Sequence, residues 1–386
     1  MSDSISEGPD VPPDPHTQAP HTQAPHIEAP HTEAPHTEIP LLAAGEIWLA
    51  EESPPRSPVV TASPNPGVGL LESGGWLVGF FLFQVLGAAG MAGVLWTIDA
   101  LVHGRLPKLN SIEGQMVALV GGGVMATALF SLLAVIVRYR PGGLKRLGLR
   151  GATIPHTLLV IVMVIPLSLL CSDIMNRMIR MFPASEGGML QVLKQMAEAP
   201  LWLLLLVMAA GPALSEELLF RGLIGRGLVS RYGVVFGVLL TSTLFGIVHM
   251  VPAQAVAVIP MGIAMHYVYL TTRSFWAPVM LHFLNNAWAA LMLKYPDSIP
   301  FAAVMNASAF PPELLAASAA VVITVLLLLW QTRVGDQSPE MASDPFWQRM
   351  AVRESATGRF SRPLLACGAF NLLGFVTAMW RLATGG

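Results

Sequence analysis

Nine apolar stretches of about bilayer length recur between residue 76 and the end of this chain. About 20 apolar residues cross a bilayer as a helix, and only helices and closed barrels satisfy their backbone groups there. Only 12% of the 386 residues are charged, against about 25% in a soluble domain. The sequence therefore predicts an all-α, polytopic membrane helix bundle of eight or nine spans. The predicted spans are Trp76–Ile98, Met116–Val137, Ile154–Ser172, Leu201–Phe220, Val234–Val251, Ala253–Leu270, Phe275–Leu293, Leu314–Trp330 and Pro363–Trp380.

Residues 16–40 repeat a pentad with proline at every fifth position. Proline interrupts helices and sheets, and this composition offers too few apolar residues for a core. We therefore predict that residues 1–70 are a disordered Pro/His-rich tail that neither insertion nor activity requires. Metal capture by the pentad histidines is an alternative, but metal sites need preorganised ligands. These histidines are His16, His21, His26, His31 and His36.

Basic residues concentrate in alternate loops, which predicts the orientation of the chain. The basic loops are residues 138–150, 221–231, 273 and 333–362. The amino terminus is therefore expected in the cytoplasm. The segment Ser172–Pro200 resembles an amphipathic helix at the outer interface, with a packed loop as the alternative. A net charge of −2 and two cysteines in apolar segments favour neither a nucleic-acid partner nor a disulfide framework.

Two adjacent carboxylates, Glu216 and Glu217, lie in the sequence SEELLFRG at the end of the fourth predicted span. Each costs at least a few kcal/mol at bilayer depth, so the pair is a candidate functional site. Glu217 and Arg221 have the four-residue spacing of a helical ion pair. Glu216 points about 100° away, which leaves one free carboxylate suited to acid–base work on water. The alternative is that both glutamates pair with basic groups at a helix end.

Polar side chains also occur one helical turn apart on two later spans. Phe245 and His249 lie on the fifth, and His282 and Asn286 lie on the seventh. An asparagine at this spacing orients an imidazole or donates a hydrogen bond to a developing oxyanion. The alternative is that these side chains hold helices together, as polar residues often do in membranes. That second role is the one we expect for Gln254, His266 and Asn285.

In the order EExxxR, FxxxH and HxxxN, these residues resemble the CAAX prenyl endopeptidase and bacteriocin-processing (CPBP, or Abi) family of intramembrane proteases. The resemblance covers about residues 200–293, and every motif position matches. The matching positions are Glu216, Glu217, Arg221, Phe245, His249, His282 and Asn286, with flanking Gly262, Tyr267, Tyr269 and Pro278.

The resemblance implies a role for each matching residue. Glu216 would activate water with help from His249. His282 and Asn286 would stabilise the oxyanion or hold the reacting group, and Glu217 with Arg221 would hold the helix in shape. The alternative is a divalent metal such as zinc held by Glu216, His249 and His282. The chain lacks an HExxH motif and asparagine is a poor zinc ligand, which favours a mechanism without a tightly bound metal.

These observations predict four regions: the tail at 1–70, amino-terminal membrane helices at 76–172, a catalytic membrane core at 200–293, and carboxyl-terminal membrane helices at 314–380. The expected activity is hydrolysis of a peptide bond in a membrane-associated or lipid-bearing peptide or protein. The expected partners are that substrate and the lipid bilayer. A non-catalytic scaffold or bacteriocin-immunity factor is the first alternative, and a proton-coupled transporter is the second. An intact Glu216 argues against a scaffold, and the lack of internal repeats in the membrane region argues against a transporter.

The three motifs start at different depths in this simple scheme. Glu216 lies near the inner end of its predicted span, whereas His249 lies about 24 Å along the next. Residues of one site must share a depth. We therefore expect either that the fourth helix continues to about Val229 or that the fifth is short or tilted.

Overall fold

The structure is a computed structural model that describes residues 67–104, 116–140, 144–182, 189–298, 304, 308–335, 341, 344–349 and 360–384. In this part of the chain the structure is helical and contains no strand, which confirms the all-α prediction. The helices are α1 (Leu70–His103), α2 (Met116–Arg138), α3 (Ile154–Met181), α4 (Met189–Ala197), α5 (Leu201–Tyr232), α6 (Val234–Ile247), α7 (Pro252–Ala257), α8 (Ile259–Thr272), α9 (Trp276–Lys294), α10 (Pro312–Gln331), α11 (Pro345–Gln348) and α12 (Arg362–Thr384). Each of the nine predicted spans corresponds to one helix or to a helix pair.

Among the described residues, seven helices are long and apolar enough to cross a membrane: α1, α2, α3, α5, the α7–α8 pair, α10 and α12. Helix α6 has only 14 residues, or about 21 Å. Helix α9 has 19 residues but is not among the seven. Glycines allow close packing in the α1–α2 hairpin, because a Cβ on Gly122 would lie 2.7 Å from the Gly87 carbonyl oxygen.

Helix α5 carries the carboxylate pair well inside the bundle. It runs for 32 residues, or about 48 Å, and continues past Arg221 to Tyr232, as the depth argument predicted. Helix α6 stops at Ile247, so it is also short, and both expected solutions to the depth problem occur. Two segments of α5, Leu205–Ala210 and Leu218–Ile224, have π-helical hydrogen bonding. Such segments are frequent at functional sites, and the sequence did not predict them.

Two predicted boundaries are wrong. Ser172–Pro200 does not form one interfacial helix, because α3 continues to Met181 and a separate helix, α4, starts at Met189. The tail cannot extend to residue 70, because Val68 is fully buried and a Cβ on Gly67 would lie 2.6 Å from the Gly227 Cα atom. The pentad repeat lies outside the described residues.

A buried arginine on α5 ties the carboxyl-terminal part of the chain to the bundle. Arg226 donates to Asp344 Oδ2 over 2.6 Å and to the Arg146 carbonyl over 2.8 Å. Its guanidinium lies 4.7 Å from the centre of the Phe346 ring and 5.7 Å from that of the Trp347 ring. The name Arg226 cluster is used below for five residues: Arg146, Arg226, Asp344, Phe346 and Trp347. They fix the short helix α11 against α5.

Candidate active site

Glu217 and Arg221 form a fully buried ion pair on α5. Arg221 Nη1 donates to Glu217 Oε1 over 2.7 Å, and neither side chain has exposed surface. Arg221 Nη2 donates to the Gly262 carbonyl of α8 over 2.8 Å. The guanidinium also lies 5.1 Å from the centre of the Phe245 ring on α6. Buried charges need such pairing, so the ion pair predicted from the four-residue spacing joins α5 to two neighbouring helices.

His282 on α9 is held by the same carboxylate. Its Nδ1 atom lies 2.9 Å from Glu217 Oε1. A carboxylate oxygen only accepts hydrogen bonds, so Nδ1 carries the proton that is donated. The other ring nitrogen, Nε2, faces Glu216, whose Oε2 atom is 3.9 Å away. Glu217 therefore orients the imidazole as well as pairing with Arg221, a second role that the sequence did not predict.

Glu216 is the more accessible of the two carboxylates. Its side chain is 16% exposed, whereas that of Glu217 has no exposed surface. Glu216 Oε2 has no hydrogen-bond partner among the described residues. Neighbouring residues on a helix point about 100° apart. Glu217 is therefore hydrogen-bonded, whereas Glu216 remains available.

Phe245 packs between the histidines of the site. Its ring centre lies 5.2 Å from that of His249 and 5.7 Å from that of His282. His249 follows the end of α6 and is half-buried. Its Nδ1 atom lies 3.0 Å from the Phe245 carbonyl, and a carbonyl only accepts, so Nε2 is the nitrogen left for other contacts. In the described part of the chain no direct contact joins His249 to Glu216, so His282 is the histidine nearest to that carboxylate.

Asn286 lies one turn after His282 on α9 and binds the backbone of α5. Its Nδ2 atom donates to the Met208 carbonyl over 3.1 Å. In a regular α-helix this carbonyl would accept from the residue four positions later, which is Pro212. Proline has no N–H, so that bond cannot form, and the Met208 carbonyl, within the π-helical segment Leu205–Ala210, accepts from Asn286 instead. A proline four residues after Met208 is a signal in the sequence for such a contact.

The structure thus brings three of the six predicted site residues into one bonded group and places the other three around it. The bonded group is Glu217, Arg221 and His282. Glu216 lies 3.9 Å from His282 Nε2, Asn286 is one turn along α9, and His249 is across Phe245. Of the residues expected to hold helices together, Asn285 bonds across helices and His266 is fully buried.

A metal site is the alternative interpretation of these residues. No group of three His, Cys, Asp or Glu side chains among the described residues could hold a metal ion. Glu217 Oε1 and His282 Nδ1 already bind each other, and Glu217 Oε1 also accepts from Arg221. These bonds leave the Nε2 atom of His282 facing Glu216.

The segment that carries these residues is similar to known proteins. Residues 198–288 match the family model described as type II CAAX prenyl endopeptidase Rce1-like. The chain is 31% identical over 86 residues to YdiL of Bacillus subtilis (strain 168), which is described as a candidate membrane peptidase. That match covers 22% of this chain and 35% of the relative, so it spans about a third of the relative's length. No solved structure matches this chain.

These matches confirm the resemblance inferred from the three motifs, all of which lie within residues 198–288. Over residues 198–288, the core of this integral membrane protein is therefore similar to the CAAX prenyl endopeptidase and bacteriocin-processing family of intramembrane proteases.

Proposed function

We propose that this protein is an intramembrane endopeptidase that hydrolyses a peptide bond in a membrane-associated or lipid-bearing peptide or protein. One observation carries the proposal. Of two adjacent carboxylates, Glu217 is buried and bonded, whereas Glu216 is partly exposed and lies 3.9 Å from His282 Nε2. A carboxylate is costly at this depth, and a scaffold gains nothing from one that is left available.

Glu216 is the general base of the proposed reaction. A separation of 3.9 Å between two polar atoms suits a bridging water. Glu216 takes a proton from that water, and the water oxygen attacks the carbonyl carbon of the scissile bond. When the carbon–nitrogen bond breaks, Glu216 returns the proton to the leaving nitrogen. General base catalysis of this kind contributes about 10²–10⁴-fold to the rate.

The other residues hold the reacting groups in place. Asn286 provides an amide N–H for the negative charge that develops on the carbonyl oxygen. His282 holds the water through Nε2, because Glu217 fixes its Nδ1 proton. His249 provides Nε2 on the far side of Phe245 and binds the substrate there. Arg221 neutralises the charge of Glu217, so the negative charge of Glu216 is left uncompensated.

This reaction needs no bound metal in our proposal. The support is that the chain lacks an HExxH motif and that asparagine is a poor zinc ligand. We further propose that the protein lies in a bacterial inner membrane with its amino terminus in the cytoplasm. The alternating basic loops support this orientation.

Comparison of membranes that contain wild type or Glu216→Gln tests the function. The amide keeps the shape of the carboxylate but takes no proton, so we expect uncleaved substrates to accumulate in the variant membranes. Quantitative proteomics of peptide termini would identify them. Glu313→Gln is the matched control, because it makes the same chemical change at an exposed position on α10. Identical termini in wild type and Glu216→Gln would refute the proposed function.

A further inference from the structure

We infer that Ser168 and Asn285 are positioning residues that hold the amide of Asn286 in its working orientation. This inference rests on the proposed function, in which Asn286 faces the developing oxyanion. Neither residue belongs to the three motifs, and Ser168 lies on α3, outside the segment that matches the family model.

A continuous chain of hydrogen bonds links these residues across three helices. Ser168 Oγ on α3 donates to Asn285 Oδ1 on α9 over 2.5 Å. Asn285 Nδ2 donates to Asn286 Oδ1 over 3.2 Å. Asn286 Nδ2 then donates to the Met208 carbonyl of α5 over 3.1 Å. Ser168 is buried and both asparagines are half-buried, so water competes little for these bonds.

The direction of this chain of hydrogen bonds is fixed at its α5 end. A backbone carbonyl only accepts hydrogen bonds, and Pro212 cannot supply the N–H that the Met208 carbonyl would receive in a regular helix. Asn286 must therefore turn Nδ2 towards Met208 and Oδ1 towards Asn285. Asn285 must then present Nδ2 to Asn286 and Oδ1 to Ser168, whose hydroxyl donates.

This fixed direction has a consequence for catalysis. An amide free to rotate by 180° would present either its oxygen or its nitrogen to the substrate, and the oxygen would repel an oxyanion. In the hydrogen-bond chain, Asn285 Nδ2 donates to Asn286 Oδ1. Asn286 Nδ2 therefore stays on the side of α5. Since Nδ2 carries two hydrogens, one binds Met208 and the second is left for the substrate. Donors prearranged in this way are worth about 10²–10³-fold in turnover.

Turnover and coupling between sites test the inference. The probe is the peptide that accumulates most in Glu216→Gln membranes, synthesised with a fluorophore and a quencher across its cleaved bond. We expect Asn285→Leu and Ser168→Ala each to lower kcat, by roughly ten- to a hundredfold for Asn285→Leu, with KM unchanged. Ser318→Ala is the control, because that buried hydroxyl on α10 bonds the Leu314 carbonyl of its own helix.

The decisive measurement repeats both substitutions in an Asn286→Ala background. If the chain acts through Asn286, neither substitution lowers kcat further there. Fully additive losses, or a fall in the thermal unfolding midpoint that accounts for the lost activity, would overturn the inference and leave the proposed function intact. Full activity of Asn286→Ala would overturn it too. Full activity of Glu216→Gln would instead refute the proposed function itself.

Discussion

Two buried arginines, five residues apart on α5, are surrounded in different ways. Arg226 binds Asp344 and the Arg146 carbonyl and lies against aromatic rings. Arg221 binds Glu217 and the Gly262 carbonyl and lies against Phe245. The two guanidinium groups are equally buried and similarly bonded. The difference is Glu216, which adds a second, partly exposed carboxylate beside Arg221.

This comparison distinguishes a structural charge centre from the one that we propose to be reactive. At the Arg226 cluster one carboxylate meets one arginine that is buried with it, and the result is a joint between α5 and α11. At Arg221 the paired carboxylate also binds an imidazole, and that imidazole faces the extra carboxylate. Burial of charge alone therefore does not identify a catalytic centre. An available acid–base group next to a buried pair does.

The largest effect is expected from Glu217→Ala. The change leaves Arg221 buried without its carboxylate, which costs about 3–5 kcal/mol, and it frees His282 from its orientation. Both the thermal unfolding midpoint in detergent and the turnover should fall. In a double-mutant cycle with Arg221→Ala, the double variant should lose less stability than the two single losses added together. Additive losses would show that the pair does not contribute as a unit.

Arg226→Ala should affect stability by a similar amount but leave the chemistry unchanged. It removes the nearest cation from the buried Asp344 carboxylate, whose other basic neighbour, Arg146, lies 3.8 Å away, and it removes the contact with Phe346, so we again expect a loss of about 3–5 kcal/mol. Turnover per folded molecule, measured below the unfolding midpoint, should stay near that of the wild type. A loss of turnover without a loss of stability would mean that the two centres are not distinct.

Truncation at two points tests the packing beside Arg226. Removal of residues 1–66 should change neither insertion nor stability, because this proline-rich segment offers too few apolar residues for a core. Removal of residues 1–70 also deletes Val68, and burying one such side chain contributes about 1.5–3 kcal/mol. It removes as well the Gly67 carbonyl that accepts from Arg231 over 3.0 Å. Circular dichroism melting curves of both truncations would measure the difference, and equal curves would contradict the contact at Val68.

The smallest effect is expected from chelators. If Arg221 neutralises Glu217 in place of a metal, treatment with EDTA or 1,10-phenanthroline should leave cleavage unchanged. The Arg226 cluster provides the comparison, because the thermal unfolding midpoint, to which this cluster contributes, should not change with a chelator either. Loss of cleavage that zinc restores would show that the site around Glu216 and His282 rearranges to bind a metal.

The sequence predicted the helices and the ion pair well, because both depend on local spacing. Apolar length located all nine predicted helical regions, and four-residue spacing located Glu217 with Arg221. The extension of α5 beyond Arg221 followed from the requirement that the residues of one site lie at the same depth in the membrane. Hydropathy alone could not show it, because the end of this helix carries Arg226 and Arg231.

Other features depend on contacts between distant residues, which local patterns do not encode. The bond between Glu217 and His282 joins residues 65 positions apart, and that between Arg226 and Asp344 joins residues 118 apart. The family resemblance implied that His249 helps Glu216, whereas the fold brings His282 closer. Pro212 was readable in the sequence, but its meaning depends on Asn286 lying opposite the Met208 carbonyl.

The most direct test of the central claim makes one chemical change in both centres, namely Glu216→Gln and Asp344→Asn. Each replaces a carboxylate with an amide of the same shape, and each variant is measured for turnover and thermal unfolding in the same detergent. The account predicts that Glu216→Gln loses about 10²–10⁴-fold in turnover with an unchanged unfolding midpoint. It predicts that Asp344→Asn lowers the midpoint and keeps its turnover per folded molecule. Near-normal turnover of Glu216→Gln, or a selective loss of turnover in Asp344→Asn, would contradict the account.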